Sequence, residues 1–323
     1  MSFGEEIKEF VLNGGKITKE EALSLYECPA ENLGAWANEI RENFCSDSFD
    51  ICSIINGKSG RCSENCKFCA QSGHSHTDVA YYPLLQEEEI IKQAEADKKS
   101  GILRFSIVTS GRALNDSEVD KMCVVIKKIT ENVGIRVCGS FGLLNENQFR
   151  RLKEAGLTRV HNNIETSERN FPNICTTHTF EDKITAIKNA KKAGLSLCSG
   201  GIIGMGETIE DRIDMAFTVR DLGIKSMPVN ILNPIKGTPF EFVKALTEEE
   251  IIKTVAIFRF IIPDGAIRLA GGRGLLSDKG EKCFMSGANA AISGDMLTTS
   301  GISTKQDFEI LEKLGYKAGF INE

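Results

Sequence analysis

The chain has 323 residues, 41% hydrophobic and 26% charged, enough to bury a large core. A net charge of −6, a pI near 5.5 and no long basic run argue against a nucleic-acid surface. No apolar run reaches the roughly 18 residues of a membrane span, and the acidic opening MSFGEEIKEF lacks the basic and apolar regions of an export signal, so the expected setting is cytoplasmic, without membrane or nucleic-acid partners.

The first 45 residues read as helices packed outside the main body. From there, short β-branched runs alternate with helical patterns. The strand-like runs are ICSII (51–55), ILRFSIV (102–108), IRVCG (135–139), TRVHNNI (158–164), LSLCS (195–199), PVNIL (228–232), AIRLA (266–270) and NAAIS (289–293). Between them lie LQEEEIIKQAEADKKSG, NENQFRRLKEAG, TFEDKITAIKNAKKAG, TIEDRIDMAFTVRDLG and TEEEIIKTVAIFRFII; several open on Asn or Thr and close on Gly, as helices prefer. Apolar strands alternating with helices imply a parallel sheet covered by helices. Eight strands fit an α/β, (β/α)8 TIM-type barrel over 46–302, with an N-terminal helical extension at 1–45 and a C-terminal helix or tail at 303–323. A doubly wound open sheet is the alternative.

Eleven cysteines in a chain expected to sit in a reducing compartment point to metal ligands, catalytic thiols or free core residues rather than disulfides. Three of them, Cys62, Cys66 and Cys69 in SGRCSENCKFCAQSG, directly follow the first strand, at the barrel mouth where such folds carry chemistry. One reading is a zinc site completed by His74 or His76. Others are a redox pair of Cys66 and Cys69, or plain packing thiols. The remaining reading is a four-iron cluster with one iron left open for a small molecule, with Phe68 shielding it. Cys138, Cys198, Ser106, Asn163, Asn230 and Arg268 converge on the same mouth. Cys28, Cys45, Cys52, Cys123 and Cys283 read as structural thiols.

The Cys-x3-Cys-x2-Cys spacing with its aromatic resembles the radical S-adenosylmethionine (SAM) enzymes. In that family the open iron chelates SAM, whose reductive cleavage yields a 5′-deoxyadenosyl radical. The resemblance extends from about residue 50 to 317 to the biotin synthase family, through SIINGKSGRCSENCKFCAQS, LCSGGIIGMGETIEDR, VNILNPIKGTPF, IRLAGGR, KCFMSGANAAISGDMLTT and LEKLGYKAG. That family inserts sulfur into dethiobiotin. It implies a homodimer, a low-potential electron donor of the flavodoxin or ferredoxin type, and two SAM molecules per biotin.

Carried over motif by motif, the resemblance implies that Cys62, Cys66 and Cys69 hold a 4Fe–4S cluster. Ile202 of GGIIGMGE would lie against adenine, with Gly200, Gly204 and Glu207 completing that pattern. Glu165 would meet the ribose, Lys183 the SAM carboxylate, and Thr109 and Ser110 the SAM amino group. Asn163 would stand between SAM and substrate, and Asn230, Thr298 and Thr299 would hold dethiobiotin. The family's sulfur-donating auxiliary iron–sulfur cluster takes three cysteines and an arginine. Cys138, Cys198 and Arg268 match three of these positions, but the fourth is Ser106. The expectation is that Cys175, in FPNICTTHT, joins Cys138 and Cys198 in an altered auxiliary cluster with Arg268 nearby; otherwise Cys175 is a loop thiol, and Ser106 is a hydroxyl ligand or marks a lost site. A related enzyme acting on another small substrate or in metallocofactor assembly is the alternative function, and a non-catalytic zinc or electron-carrier protein is a more distant one.

Overall fold

The structure, a computed structural model, describes residues 2–321. Three helices, α1 (Phe3–Leu12), α2 (Lys19–Tyr26) and α3 (Ala30–Cys45), precede the first strand. The strands are β1 (Ser48–Lys58), β2 (Arg104–Thr109), β3 (Arg136–Ser140), β4 (Leu157–His161), β5 (Ser196–Cys198), β6 (Gly201–Ile203), β7 (Ser226–Ile231), β8 (Ala266–Leu269), β9 (Ala290–Ser293) and β10 (Lys317–Ala318). Between and after them run α4 (Glu87–Lys99), α5 (Asp116–Lys128), α6 (Glu146–Glu154), α7 (Phe171–Ile174), α8 (Phe180–Lys192), α9 (Ile209–Asp221), α10 (Glu248–Ile261), α11 (Glu281–Phe284) and α12 (Thr304–Leu314). No helix among the described residues is long and apolar enough to cross a membrane.

Local chemistry explains the helix starts. Asn115, Asn145, Thr179, Thr208 and Thr247 each accept a hydrogen bond from the backbone three residues on, and the side chain there reaches back to the cap. Each capping box satisfies two N–H groups that would otherwise lack partners.

The strands run parallel in the order β5-β4-β3-β2-β1-β9-β8-β7-β6. The two ends of that list, β5 and β6, are successive pieces of one chain segment interrupted at Ser199–Gly200. β5 pairs with β4 and β6 with β7, and the Ser199 N–H donates to the Ser226 carbonyl at 3.0 Å. The sheet therefore curls into a TIM-type barrel with β5 and β6 sharing its fifth position. The sequence pattern shows one strand over 195–199; the structure adds a second, because Gly200 and Gly201 bend the chain there. A Cβ on Gly200 would lie 2.1 Å from the Pro228 carbonyl oxygen, so the bend needs glycine. The tail also does more than end in a helix, since β10 pairs with β1 beside Ser48 and Phe49.

Strand alternation divides the residues between two environments. Phe49, Ile51, Phe105, Ile107 and Val137 join the hydrophobic layer under the helices. Arg104, Ser106, Cys138, Arg159 and Arg268 line the barrel interior instead. Below them Asp50 is fully buried, 3.0 Å from Arg268 and 3.7 Å from Arg159. Paired charge so deep in a fold costs desolvation that hydrophobic residues would avoid, so this polar interior points to function.

Candidate active site

The segment following β1 turns sharply at Gly60 and Arg61, both in the left-handed region at φ 74° and 49°. It then folds on itself through backbone hydrogen bonds. Cys62 N–H donates to Gln71 O at 3.0 Å, Gly73 N–H to Cys62 O at 2.8 Å and Cys69 N–H to Cys66 O at 3.0 Å. The Ser72 and Ser75 hydroxyls donate to the carbonyls of Glu64 and Cys69. Three cysteines are thereby fixed on one loop over the barrel.

This geometry discriminates between the metal readings. Zinc–sulfur bonds of about 2.3 Å in a tetrahedron place ligand sulfurs roughly 3.8 Å apart. Among the described residues, one set of potential ligand atoms lies within 4.8 Å of one another: Cys66, Cys175 and His178. Cys62 and Cys69 are outside that set, as are His74 and His76. His74 Nε2 instead meets the Ser63 carbonyl at 3.2 Å. Motif thiols too widely spread for one ion fit a cluster of several irons.

Cys175 does not stand where the sequence suggested. It caps α7 against the cysteine loop, with its Sγ 3.3 Å from Asn65 Oδ1, 3.4 Å from Thr177 Oγ1 and 3.3 Å from His178 Nδ1. The Cys66 sulfur lies within 4.8 Å of it, and contact with Cys66 and the hydrogen bond with His178 hold the Cys175 thiol well below its ordinary range. Glu64 orients His178 at 2.6 Å. Because α7 carries Cys175 toward Cys66, it is absent from the cavity that contains Cys138 and Cys198.

That cavity, about 320 Å³, runs from the cysteine loop into the barrel. Phe68 and Cys69 line its upper part, and Phe68 packs with Ile174, Ile202, Met205 and Leu232 as an apolar wall. On the same side, the loop after β6 is drawn tight by Glu207, which accepts from the N–H groups of Gly204 (2.7 Å) and Met205 (2.6 Å) and from Arg212 Nε (2.7 Å).

Asn163 and Glu165, just past β4, face the middle of the cavity. Asn163 Oδ1 accepts from Gly200 N–H at 3.2 Å. Glu165 sits in the left-handed region at φ 70°, where its backbone bonds Gly200 and Ile202 and its Oε1 lies 3.9 Å from Lys183. The other oxygen, Oε2, is buried without a hydrogen-bond partner. A buried carboxylate oxygen with spare capacity fits a ligand hydroxyl. Asn230 also lines the cavity; its amide donates to Gly201 O at 3.1 Å and its oxygen accepts from Gly271 N–H at 2.9 Å. Thr298 and Thr299 lie at the rim. Thr109 and Ser110 are not among the lining residues, because their hydroxyls bond the Ser140 and Gly60 carbonyls.

Deeper in, Cys138, Cys198 and Arg268 meet as the sequence suggested, together with Ser106, with Cys52, which the sequence reading took as a structural thiol, and with Arg159 and His161, which it did not single out. Burial pushes the Cys138 and Cys52 thiols up to about 12. Burial also raises Cys198, but the hydrogen bond with His161 and the charges of His161, Arg268 and Arg159 outweigh it and bring that thiol down to about 7. Cys52 sits on β1, one strand from Ser106 on β2.

Residues 58–219 match the family model of the radical SAM superfamily, and 228–317 that of the Biotin and Thiamin Synthesis associated domain. Methylornithine synthase shares the fold at a TM-score of 0.84 and 18% identity over 97% of each chain. The FeFe-hydrogenase maturase HydG from Carboxydothermus hydrogenoformans does so at 0.82 and 16%, covering 98% of this chain and 79% of that one. A TIM-type barrel with a three-cysteine loop at its mouth and this family match defines a radical SAM enzyme. Biotin synthases of Clostridium botulinum (strain Hall) and Brachyspira hyodysenteriae are 58% and 57% identical over 310 and 313 residues, covering 96% and 97% of this chain and 98% and 94% of theirs. That of Akkermansia muciniphila is 54% identical over 317 residues, covering 98% of this chain and 99% of its own. The chain belongs to the biotin synthase family.

Proposed function

We propose that this protein inserts sulfur into dethiobiotin to form biotin, with a 4Fe–4S cluster held by Cys62, Cys66 and Cys69, and with SAM. The observation that carries this reading is the single cavity that joins the cysteine loop, through Asn163 and Glu165, to Cys138, Cys198 and Arg268. When bound, SAM at the first cluster supplies hydrogen-atom abstraction from unactivated carbon, and the auxiliary iron–sulfur cluster supplies the sulfur.

The chain's own part is placement and exclusion. Phe68, Ile202 and Leu232 form the dry wall on which a purine can lie. Glu165 offers its free oxygen to a ribose hydroxyl, and Lys183 beside it offers a positive charge to the SAM carboxylate. Asn163 and Asn230, both locked to the backbone around Gly200 and Gly201, hold polar edges rigidly between the two ends of the cavity. Rigid placement of this kind supplies the proximity on which the chemistry depends. Thr298 and Thr299 close the rim around the substrate. The Thr109 and Ser110 backbone groups remain the elements nearest the SAM amino group in this reading.

A homodimer and a flavodoxin- or ferredoxin-type electron donor, both implied by the family resemblance, and a cytoplasmic setting with divisions at residues 45 and 302, drawn from the sequence pattern, complete the proposal. The test is an anaerobic reaction of reconstituted protein with SAM, a low-potential reductant and dethiobiotin, read by mass spectrometry. Biotin with about two 5′-deoxyadenosines per turnover is expected, one per C–H bond broken. Deoxyadenosine without biotin would overturn the substrate assignment.

A further inference from the structure

We infer that Cys52 of β1 supplies the third thiolate of the auxiliary cluster, which Ser106 of β2 does not provide. The inference rests on the reading above that the barrel holds such a cluster.

The first argument is architectural. Each interior layer of a (β/α)8 barrel draws its four side chains from alternate strands. With β5 and β6 sharing the fifth position, β8 occupies the seventh. Cys52 on β1, Cys138 on β3, Cys198 on β5 and Arg268 on β8 thus come from positions one, three, five and seven, and all four line the same cavity. Ser106 stands on the second position, in the alternate set with His161. Three sulfurs and a guanidinium form one family of positions, without any help from β2.

The second argument is the immediate surroundings of Cys52. Arg268 Nη1 lies 3.2 Å from its sulfur while also donating to the carbonyls of Asp50 at 2.8 Å and Ala291 at 3.0 Å. Asp50 faces the other guanidinium nitrogen at 3.0 Å. Arg268 is fixed, and it directs a hydrogen-bond donor and a positive charge at the Cys52 sulfur. A packing thiol needs neither, whereas a metal-bound thiolate is stabilised by both. Cys52 also lies 3.7 Å from the Ala291 carbonyl and packs in a small apolar cluster with Ala270 and Ile292. Ligation releases the thiol proton and leaves a sulfur–iron bond in its place.

The third argument concerns the alternatives. Ser106 pairs with Cys138 across adjacent strands and offers a hydroxyl, a harder and poorer ligand for an iron–sulfur centre than a thiolate. Cys175 is committed to Cys66 and His178 on the loop above.

The test uses the full chain and the variants Cys52→Ala, Ser106→Ala and the exchange Cys52→Ala with Ser106→Cys. Each is reconstituted anaerobically with ferrous iron and sulfide, and iron, sulfide and Mössbauer spectra are recorded. Cys52→Ala is expected to keep about the iron of one four-iron cluster, which also reports an intact barrel, and to lose the remainder. Ser106→Ala should keep the parent's iron, and the exchange variant should recover part of the loss, because its thiol moves only to the adjacent strand. Cys52→Ala with the parent's iron and spectrum would overturn the inference while leaving the auxiliary cluster in place. A parent chain holding only one cluster's iron would overturn the cluster reading itself, and the inference with it.

Discussion

Glu165 occupies a backbone position that glycine would fill without strain, at φ 70°. Keeping a non-glycine residue there costs about 1–2 kcal/mol. Replacing it by glycine relieves that strain. Against this stand the loss of the Lys183 pairing, worth up to about 1 kcal/mol, and the extra chain entropy of glycine, about 0.5–1 kcal/mol. The backbone bonds to Gly200 and Ile202 survive the change. Glu165→Gly should therefore leave stability within about 1 kcal/mol of the parent. Unfolding entropy near 2.1 cal/mol/K per residue over 323 residues gives roughly 0.7 kcal/mol/K, so Tm should move by less than about 2 °C. SAM binding should behave differently. A charge-assisted hydrogen bond from a ribose hydroxyl to the free Oε2 is worth about 1.5–3 kcal/mol, a loss of about 10- to 150-fold in affinity. Anaerobic calorimetric titration of SAM into reconstituted parent and variant, with thermal melts of both, separates the two effects. An unchanged SAM affinity would refute the ribose assignment. A Tm lowered by more than about 6 °C would mean that Glu165 is retained for the fold.

Cys175→Ser should keep the parent's iron content but alter the electron paramagnetic resonance of the reduced SAM cluster, because Cys175 contacts Cys66; loss of auxiliary iron would restore the ligand role suggested by sequence. Gly200→Ala drives a methyl group into the Pro228 carbonyl and should cost about 3 kcal/mol or more, a Tm lowered by about 4 °C or more in calorimetry; an unchanged Tm would mean that the break in the fifth strand position adjusts freely. Burial raises the Asp97 carboxyl despite the hydrogen bonds from Ser53 and Gln93. A raised folded value means that its stabilising contribution is present below the unfolded value of 3.8 and is lost as pH rises through the folded one. Asp97→Asn should therefore exceed the parent in stability at pH 7, with the advantage shrinking toward pH 4 in denaturant melts; a pH-independent difference would contradict the burial argument.

What could be read from the chain alone depended on whether a residue belongs to a local pattern. The cysteine loop and the alternation of strands with helices are local in sequence, so spacing and periodicity reveal them, whereas the Gly200–Glu207 turn gained its meaning from the family resemblance. Cys52 carries no motif and reads in the sequence as a structural thiol: its meaning arises from Arg268 and Cys198, brought beside it by barrel closure. Cys175 was misplaced for the converse reason. Its loop follows the fourth strand, and the short helix α7 that turns its sulfur toward Cys66 has only four residues and no periodicity. β6 escaped because three residues after two glycines are too few to show alternation, and β10 because two residues acquire strand character only by pairing with β1.

That pairing bears on the order in which the molecule can be assembled. β1 carries the cysteine loop, yet one of its edges pairs with β9 and the start of the other with β10, both from the far end of the chain. Contacts of such sequence separation form late, since the intervening chain must be ordered first. On a ribosome the first strand waits with one edge open until nearly the last residue has emerged. Iron delivered before then meets three thiols on an unanchored loop and a barrel whose interior sulfurs have not been gathered. Loading of both clusters is thus a post-translational event, and a chain truncated before residue 290 would lack one wall of the chamber in which the interior cluster is built.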